Sequence, residues 1–263
     1  MPKWNPGRYA KASTHQQTWA RETLASVRLE GVENILDVGC GDGKVTAALS
    51  SQTSGRVVGI DKSAEMVSYA REHHESGARG NLFFEIGEAE SFRVVDPFDI
   101  ITSFSALHWV ADHPRMLKNF YSLLRPGGRL VLQFGGKNNA ADIINVALKM
   151  IASKRWSSYY TEFKFPWHFH GPLEYRDWLI TAGFSPLSVE LVPKDMIHEG
   201  LPELTAWIET TWLPFLEALP EVERGVFVKA VAHAYEKNYP PDAQGRLHTK
   251  MFRLQILAER PVA

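Results

Sequence analysis

Residues 34–61 read NILDVGCGDGKVTAALSSQTSGRVVGID, and the order of features within them decides the fold. A short apolar run, residues 35–38, meets the turn Gly39-Cys40-Gly41-Asp42-Gly43. That turn is too rich in glycine for the middle of a strand or helix. Val45, Ala48 and Leu49 then give one apolar side to a helical segment, and a second apolar run, residues 57–60, ends at Asp61. Strand, glycine turn, helix, strand and acidic residue make a βαβ unit, the opening of a parallel sheet that holds a nucleoside-bearing ligand at its carboxyl edge. Gly39, Gly41 and Gly43 let the backbone turn sharply and come close to a ligand. The first amides of the following helix favour a carboxylate or phosphate. Asp61, at a strand tip, is a short ionised acceptor for two ribose hydroxyls, while Asp37 orients the turn amides or reaches a ligand ammonium group through water. A dinucleotide fingerprint requires glycine where Lys44 stands, which disfavours a dehydrogenase.

Downstream, Ser63 or Asp61 starts a helix carrying Met66, Val67 and Ala70. Residues 81–86 and 98–104 read as the third and fourth strands, the first followed by Gly87-Glu88-Ala89 and the second by SALHWVADHP. A helix over about 114–124 stops at Arg125-Pro126-Gly127-Gly128, and residues 129–134 form a fifth strand. Five strands alternating with helices predict a mostly parallel sheet covered on both faces. The second half changes character. Residues 156–169 are dense in rings, helices are expected over 142–153, from Gly171-Pro172 to Gly183, and over 204–234, and strands over 187–192 and 252–258. The predicted organisation is an N-terminal arm and helix (1–30), a cofactor-binding core (31–135), an aromatic cap insertion (136–171), a return to the core (172–194), a helical cap insertion (195–250) and a final strand (251–263).

A chain of 263 residues with 29 basic and 30 acidic side chains has a net charge of −1, so no field that would attract nucleic acid is expected. The single cysteine, Cys40, excludes an intrachain disulfide and a cysteine metal cluster, and reads as a small turn residue. No run reaches about 18 apolar residues, so no membrane span is expected. The first residues lack the apolar run of a secretory signal, and the expected location is cytoplasmic. A monomer or weak homodimer acting on a small molecule, without a metal, is the expectation.

The blocks LDVGCGDG (36–43), VGID (58–61), FDII (98–101) and LRPGGRL (124–130) come in an order and at a spacing that resemble the class I methyltransferases dependent on S-adenosylmethionine. The resemblance implies a Rossmann-like α/β fold with a seven-stranded sheet, the last strand antiparallel, flanked by helices, with 187–192 and 252–258 as strands six and seven. It places the methionine portion of S-adenosyl-L-methionine beside Asp37, Gly39, Cys40 and Gly41, the ribose on Asp61, and the adenine near Lys62, Met66, Glu88 and Ala89. The backbone at Phe104 and Ser105 would hold the ammonium group, and S-adenosyl-L-homocysteine would be the product. Glu88 departs mildly from the aspartate common in the family.

LHWVADH (107–113), with Trp4, Asn5, Pro6 and Tyr9, resembles the trans-aconitate methyltransferase group and relatives that esterify small organic acids. This implies O-methylation of a carboxylate, with His108 as a base or a hydrogen-bond donor. Tyr9, Trp109, Trp167, His168, His170 and Trp207 are the expected acceptor-binding residues. Arg155 and Arg176 are further candidates for a carboxylate partner, and His113, before Pro114, is expected to face solvent. Trp207, Trp212 and Phe215 either close over the acceptor or form a core of their own. The alternatives are C- or N-methylation of a natural-product or quinone-type ring, esterification of a carrier-linked malonyl group, and a regulatory protein that binds the cofactor without turnover.

Overall fold

The structure is a computed structural model and describes residues 14–25, 29–75 and 80–262. Tyr9 and the first part of the predicted N-terminal arm lie outside the described residues. In chain order the elements are α1 (Thr14–Ala25), β1 (Ile35–Val38), α2 (Lys44–Ser50), β2 (Val57–Asp61), α3 (Ala64–His74), β3 (Leu82–Ile86), β4 (Phe98–Phe104), α4 (His113–Leu123) and β5 (Leu124–Gly135). They continue with α5 (Ala141–Ile151), α6 (Pro172–Thr181), β6 (Ser185–His198), α7 (Leu201–Thr211), α8 (Leu213–Glu217), α9 (Glu221–Asn238) and β7 (Leu247–Glu259). Leu107–Trp109 adds one 3₁₀ turn after β4.

The seven strands form one sheet in the order β3-β2-β1-β4-β5-β7-β6. Strands β1 to β5 pair in parallel and β7 runs antiparallel to β5. This is the expected Rossmann-like methyltransferase sheet. Its chain order reverses between β1 and β4, and ligands bind at such a switch point, beyond the carboxyl ends of the strands.

Successive residues of a strand point to opposite faces, so a central parallel strand must be apolar on both. Ile35, Val57, Ile100 and Val131 face one layer with Leu49, Val67, Ala70 and Phe84. Leu36, Val58, Ile101 and Leu132 face the other, against Met116, Leu117, Phe120, Tyr175 and Leu179. Ser63 rather than Asp61 caps α3, accepting from the Met66 amide at 3.2 Å.

Three local expectations are corrected. Arg125-Pro126-Gly127-Gly128 is not a turn between helix and strand but a sidestep inside β5: the register against β4 moves from Phe98↔Leu124 to Ile100↔Arg129. Gly127 takes a positive φ there, and its amide bonds the Arg260 carbonyl at 2.7 Å. Strand β6 runs well past 192 through Pro193, which an edge strand tolerates because its outer amides need no partner. Strand β7 begins at Leu247, where His248 and Lys250 alternate with buried Leu247, Thr249 and Met251 and disguise the period of two.

The described residues divide into two compact units. One holds the described residues up to 137, Trp167–Val192 and those from Arg253 onward; the other holds Asn138–Pro166 and Pro193–Phe252. The second unit is mainly helical and has its own aromatic core: Trp156 meets Phe227 edge-on at 5.2 Å, and the Tyr160 hydroxyl donates to the Phe215 carbonyl at 2.7 Å. Residues 156–169, read as one aromatic cluster, are therefore split between the units. Trp207 packs on His198 and Trp212 in the helical unit, and Trp212 on Phe215, so these rings form a core there.

Candidate active site

The glycine turn is built on the end of β2. The amides of Gly39 and Cys40 both donate to the Ile60 carbonyl, at 2.7 and 3.0 Å. Gly41 donates to one Asp61 oxygen at 3.0 Å and Ser63 to the other at 2.9 Å. Asp61 thus stands between the turn and α3 with lone pairs left over. Burial raises its pKa against the pull of these two amides. A desolvated carboxylate at a strand tip gains from further hydroxyl donors, which is what a ribose diol offers.

Glycine at 39 has a steric cause. Its φ is +74°, and an added Cβ would stand 2.2 Å from the Ala106 Cβ. The turn after β1 and the loop after β4 are thereby packed backbone to side chain.

Asp37 is buried beneath the turn. Its oxygens accept from the hydroxyls of Thr46 (2.6 Å) and Thr102 (2.9 Å), tying β1 to α2 and β4. Burial lifts its pKa to about 6 despite these bonds. In the sequence each threonine reads as a filler in an apolar segment. Cys40 is buried and its thiol pKa is pushed well up, first by burial and then by Asp61 and Asp37. An inert turn residue results.

The adenine-side candidates line the next strand ends. Lys62 is exposed directly after Asp61, and Met66 is 3% exposed on α3. Glu88 is exposed after β3, while Ala89 is buried and its carbonyl accepts from the Asn119 side chain at 2.9 Å.

The loop after β4 carries several of the predicted acceptor-side residues. Phe104 ends β4, and Ser105 takes φ +56°, a left-handed conformation rare for serine. The Ser105 amide donates to the Gln133 carbonyl at 2.7 Å. Its hydroxyl accepts from the Arg253 guanidinium at 2.7 Å. Three residues on, the Nδ1 of His108 is buried with no hydrogen-bond partner among the described residues. Burial, then the charges of Arg253 and His113, hold the His108 pKa well below the usual histidine range. The imidazole is neutral.

Trp109 and Trp167 meet edge-on at 5.8 Å, and His108 lies 6.0 Å from Phe169. The His168 amide donates to the His108 carbonyl at 2.8 Å. His108, Trp109, Trp167, His168 and His170 are thus brought together within the sheet unit, whereas Trp207 belongs to the helical unit.

His113 is the clearest reversal. It is fully buried, its Nδ1 meets the Tyr175 hydroxyl at 3.0 Å, and its ring crosses that of His170 at 4.4 Å. Asp112, not His113, caps α4, which turns the following ring inward against Phe134, Tyr175 and Trp178. Burial and the neighbouring histidines lower its pKa to about 3. The charge of Glu174 beside His170 partly opposes the burial that lowers the His170 pKa. Arg155 pairs with Glu223 in the helical unit. Nothing local in the sequence marks Arg253, since an arginine inside an apolar strand carries no signal of direction, and Tyr175 reads only as part of the apolar face of a helix.

The methyltransferase-domain family profile matches residues 29–164. The chain is 31% identical over 269 aligned residues to trans-aconitate 2-methyltransferase of Escherichia coli, spanning 99% of each chain. In fold it is similar to the YcgJ protein of Bacillus subtilis (TM-score 0.64, 18% identity, 94% of this chain and 100% of that one). It is also similar to a Haemonchus contortus phosphoethanolamine N-methyltransferase solved with S-adenosyl-L-methionine (TM-score 0.61, 15% identity, 97% and 56%).

Proposed function

Because the chain belongs to the methyltransferase-domain family, with the class I S-adenosylmethionine-dependent fold, we propose that it methylates a carboxylate oxygen of a small organic acid. The full-length similarity to a trans-aconitate methyltransferase supports an acid acceptor. The observation that carries the proposal is His108: in the loop after β4 its imidazole is buried and burial depresses its basicity, which argues against the general base that a phenol, amine or carbon acid would need. A carboxylate needs no base, because it is already ionised at neutral pH.

S-adenosyl-L-methionine, when bound, supplies a methyl group on a sulfonium that leaves as a neutral thioether. The donor set fits it. Asp61 would accept from the ribose hydroxyls, Lys62, Met66, Glu88 and Ala89 would surround the adenine, and Gly39, Cys40 and Gly41 would lie along the methionine portion. The buried Asp37 charge and the backbone at Phe104 and Ser105 would complement the ammonium group. A carboxylate acceptor would reach the site already ionised, so no side chain of this chain would have to take up a proton. The protein's task is alignment and exclusion of water. Trp109, Trp167 and His168 would form the acceptor wall, His170 would brace it, and His108 would donate to the acceptor.

The test is incubation of the pure protein with methyl-labelled S-adenosylmethionine and a panel of acids, phenols and amines. Base-labile methyl esters are expected. Label found only on carbon, nitrogen or phenolic oxygen would overturn the proposal. His108→Ala is expected to retain S-adenosylhomocysteine binding and lose about 10-fold or more in transfer rate.

A further inference from the structure

Asn119 sits on the buried face of α4 among Met116, Leu117, Phe120 and Leu123, and is 6% exposed. Asparagine is a weak helix former, and its amide is costly to bury unless its donors and its acceptor are met. Here they are. The Nδ2 group donates to the Ala89 carbonyl at 2.9 Å and to the Phe92 carbonyl at 3.2 Å, and Oδ1 accepts from the Arg93 guanidinium. Arg93 also donates to the Phe92 carbonyl, at 2.8 Å. A leucine at this position would pack as well as its neighbours do, so the amide has a use other than filling the core.

The segment that Asn119 clasps follows β3 and carries Glu88 and Ala89. The Gly87 amide ties it to the end of β2, donating to the Asp61 carbonyl at 3.0 Å. The Phe92 ring closes on Gly87, where an added Cβ would stand 2.8 Å from it. The Glu88 carbonyl accepts from the Ser91 and Phe92 amides, at 3.2 and 2.9 Å. A trans peptide is planar, so the Ala89 N–H, on the same peptide as that carbonyl, points away from the turn. Among the described residues this N–H has no hydrogen-bond partner. The peptide after Ala89 is the one Asn119 holds. Both peptide planes beside the Ala89 Cα are thus fixed, one by the turn and one by α4, and the outward N–H keeps a single direction.

We propose that Asn119 is a positioning residue for recognition of the nucleoside base: by holding the Ala89 carbonyl it aims the Ala89 N–H and the Glu88 carboxylate at the edge of adenine that bears the ring acceptor and the amino group. This rests on the reading of Glu88 and Ala89 as neighbours of the adenine. Asn119 itself acts through the backbone and does not touch the ligand. The adenine edge offers one acceptor, the ring nitrogen, beside one donor, the amino group. Hypoxanthine reverses both, with an N–H on that nitrogen and a carbonyl in place of the amino group. An N–H and a carboxylate held in fixed places therefore favour adenine and leave polar groups unpaired against hypoxanthine, whereas a loosened segment discriminates less.

The experiment measures by calorimetry the affinities of S-adenosylhomocysteine and of S-inosylhomocysteine, which differ only in the base. The wild type is expected to bind the adenine compound at least about 10-fold more tightly. In Asn119→Ala the two affinities should come within about 3-fold of each other, the loss falling on the adenine compound. Binding of S-inosylhomocysteine should stay within about 3-fold of wild type, which also reports a folded protein with its ribose contacts intact. Asn119→Asp should act in the same way, since a carboxylate oxygen would then face two carbonyls. Arg93→Ala, at an exposed residue that shares the Phe92 carbonyl with Asn119, should lower the preference by about 2- to 3-fold. Equal binding of the two compounds by the wild type would overturn the proposal without any variant having to fold. Parallel loss of both in Asn119→Ala would overturn it in favour of a purely structural post. Where Asn119→Ala does not fold, an unchanged preference in Arg93→Ala overturns it. If the wild type binds neither compound, it is the reading of the cofactor that fails, and the role of Asn119 falls with it.

Discussion

Gly39→Ala is expected to disrupt the cofactor turn, and Ala106→Gly to repair it in part. The new Cβ would stand 2.2 Å from the Ala106 Cβ, with φ at +74°. Carbon atoms rest about 3.5–4.0 Å apart, so the turn and the loop after β4 must separate by more than about 1 Å. The left-handed backbone costs a residue with a Cβ about 1–2 kcal/mol, and overpacking adds about 1–3 kcal/mol. The single variant should therefore lose about 2–5 kcal/mol. With glycine at 106 the next atom met is the residue 106 Cα at 3.7 Å, an ordinary contact. The double variant should then regain the overpacking part and keep the backbone part, a coupling of about 1–3 kcal/mol. Urea unfolding of the four proteins, followed by tryptophan fluorescence, measures the cycle. Calorimetry with S-adenosylhomocysteine shows whether the cofactor site returns with it. Strict additivity of the two substitutions would refute the steric reasoning.

Three other expectations follow from charge and burial. Asp37 has a folded pKa of about 6, above its unfolded value, so the folded state binds the proton more tightly and stability falls as pH rises from about 4 through 6. Asp37→Asn should therefore gain about 1–3 kcal/mol in urea unfolding at pH 8 while binding S-adenosylhomocysteine more weakly. His113 has the opposite sense for a base. Its folded pKa of about 3 lies below the unfolded value, so the stability its neutral form provides is present above about pH 6.5 and is lost as pH falls toward 3. A pH series of unfolding midpoints should show this slope, and His113→Gln should flatten it. Asp61→Ala removes the acceptor of the Gly41 and Ser63 amides together with the proposed ribose contact, so S-adenosylhomocysteine affinity should fall at least about 100-fold by calorimetry.

The parts of the fold legible in the sequence were those where local chemistry and tertiary role coincide. The runs 35–38 and 57–60 are apolar because both faces are covered, and the glycines between them mark the turn directly. Strand ends in β6 and β7 were hidden because Pro193 is tolerated only by an edge, and because His248 and Lys250 fill the outward positions. The inward turn of His113 depends on Tyr175 and His170, some sixty residues away, which no local pattern records. Arg253 is invisible for the same reason: its meaning comes from Ser105 across two strands. The single aromatic run 156–169 offered no sign that its rings serve different units, because ring density states how much surface is buried and not against what.

Ser105 bears on how this protein would respond to selection in the laboratory. At φ +56° a glycine would relax the backbone by about 1 kcal/mol, whereas serine keeps the hydroxyl that receives Arg253. A library at position 105 screened for heat resistance should drift toward glycine. The same library screened for methyl transfer should return serine. The two screens would pull one codon in opposite directions, and the disagreement between them measures how much conformational comfort the chain gives up at that position.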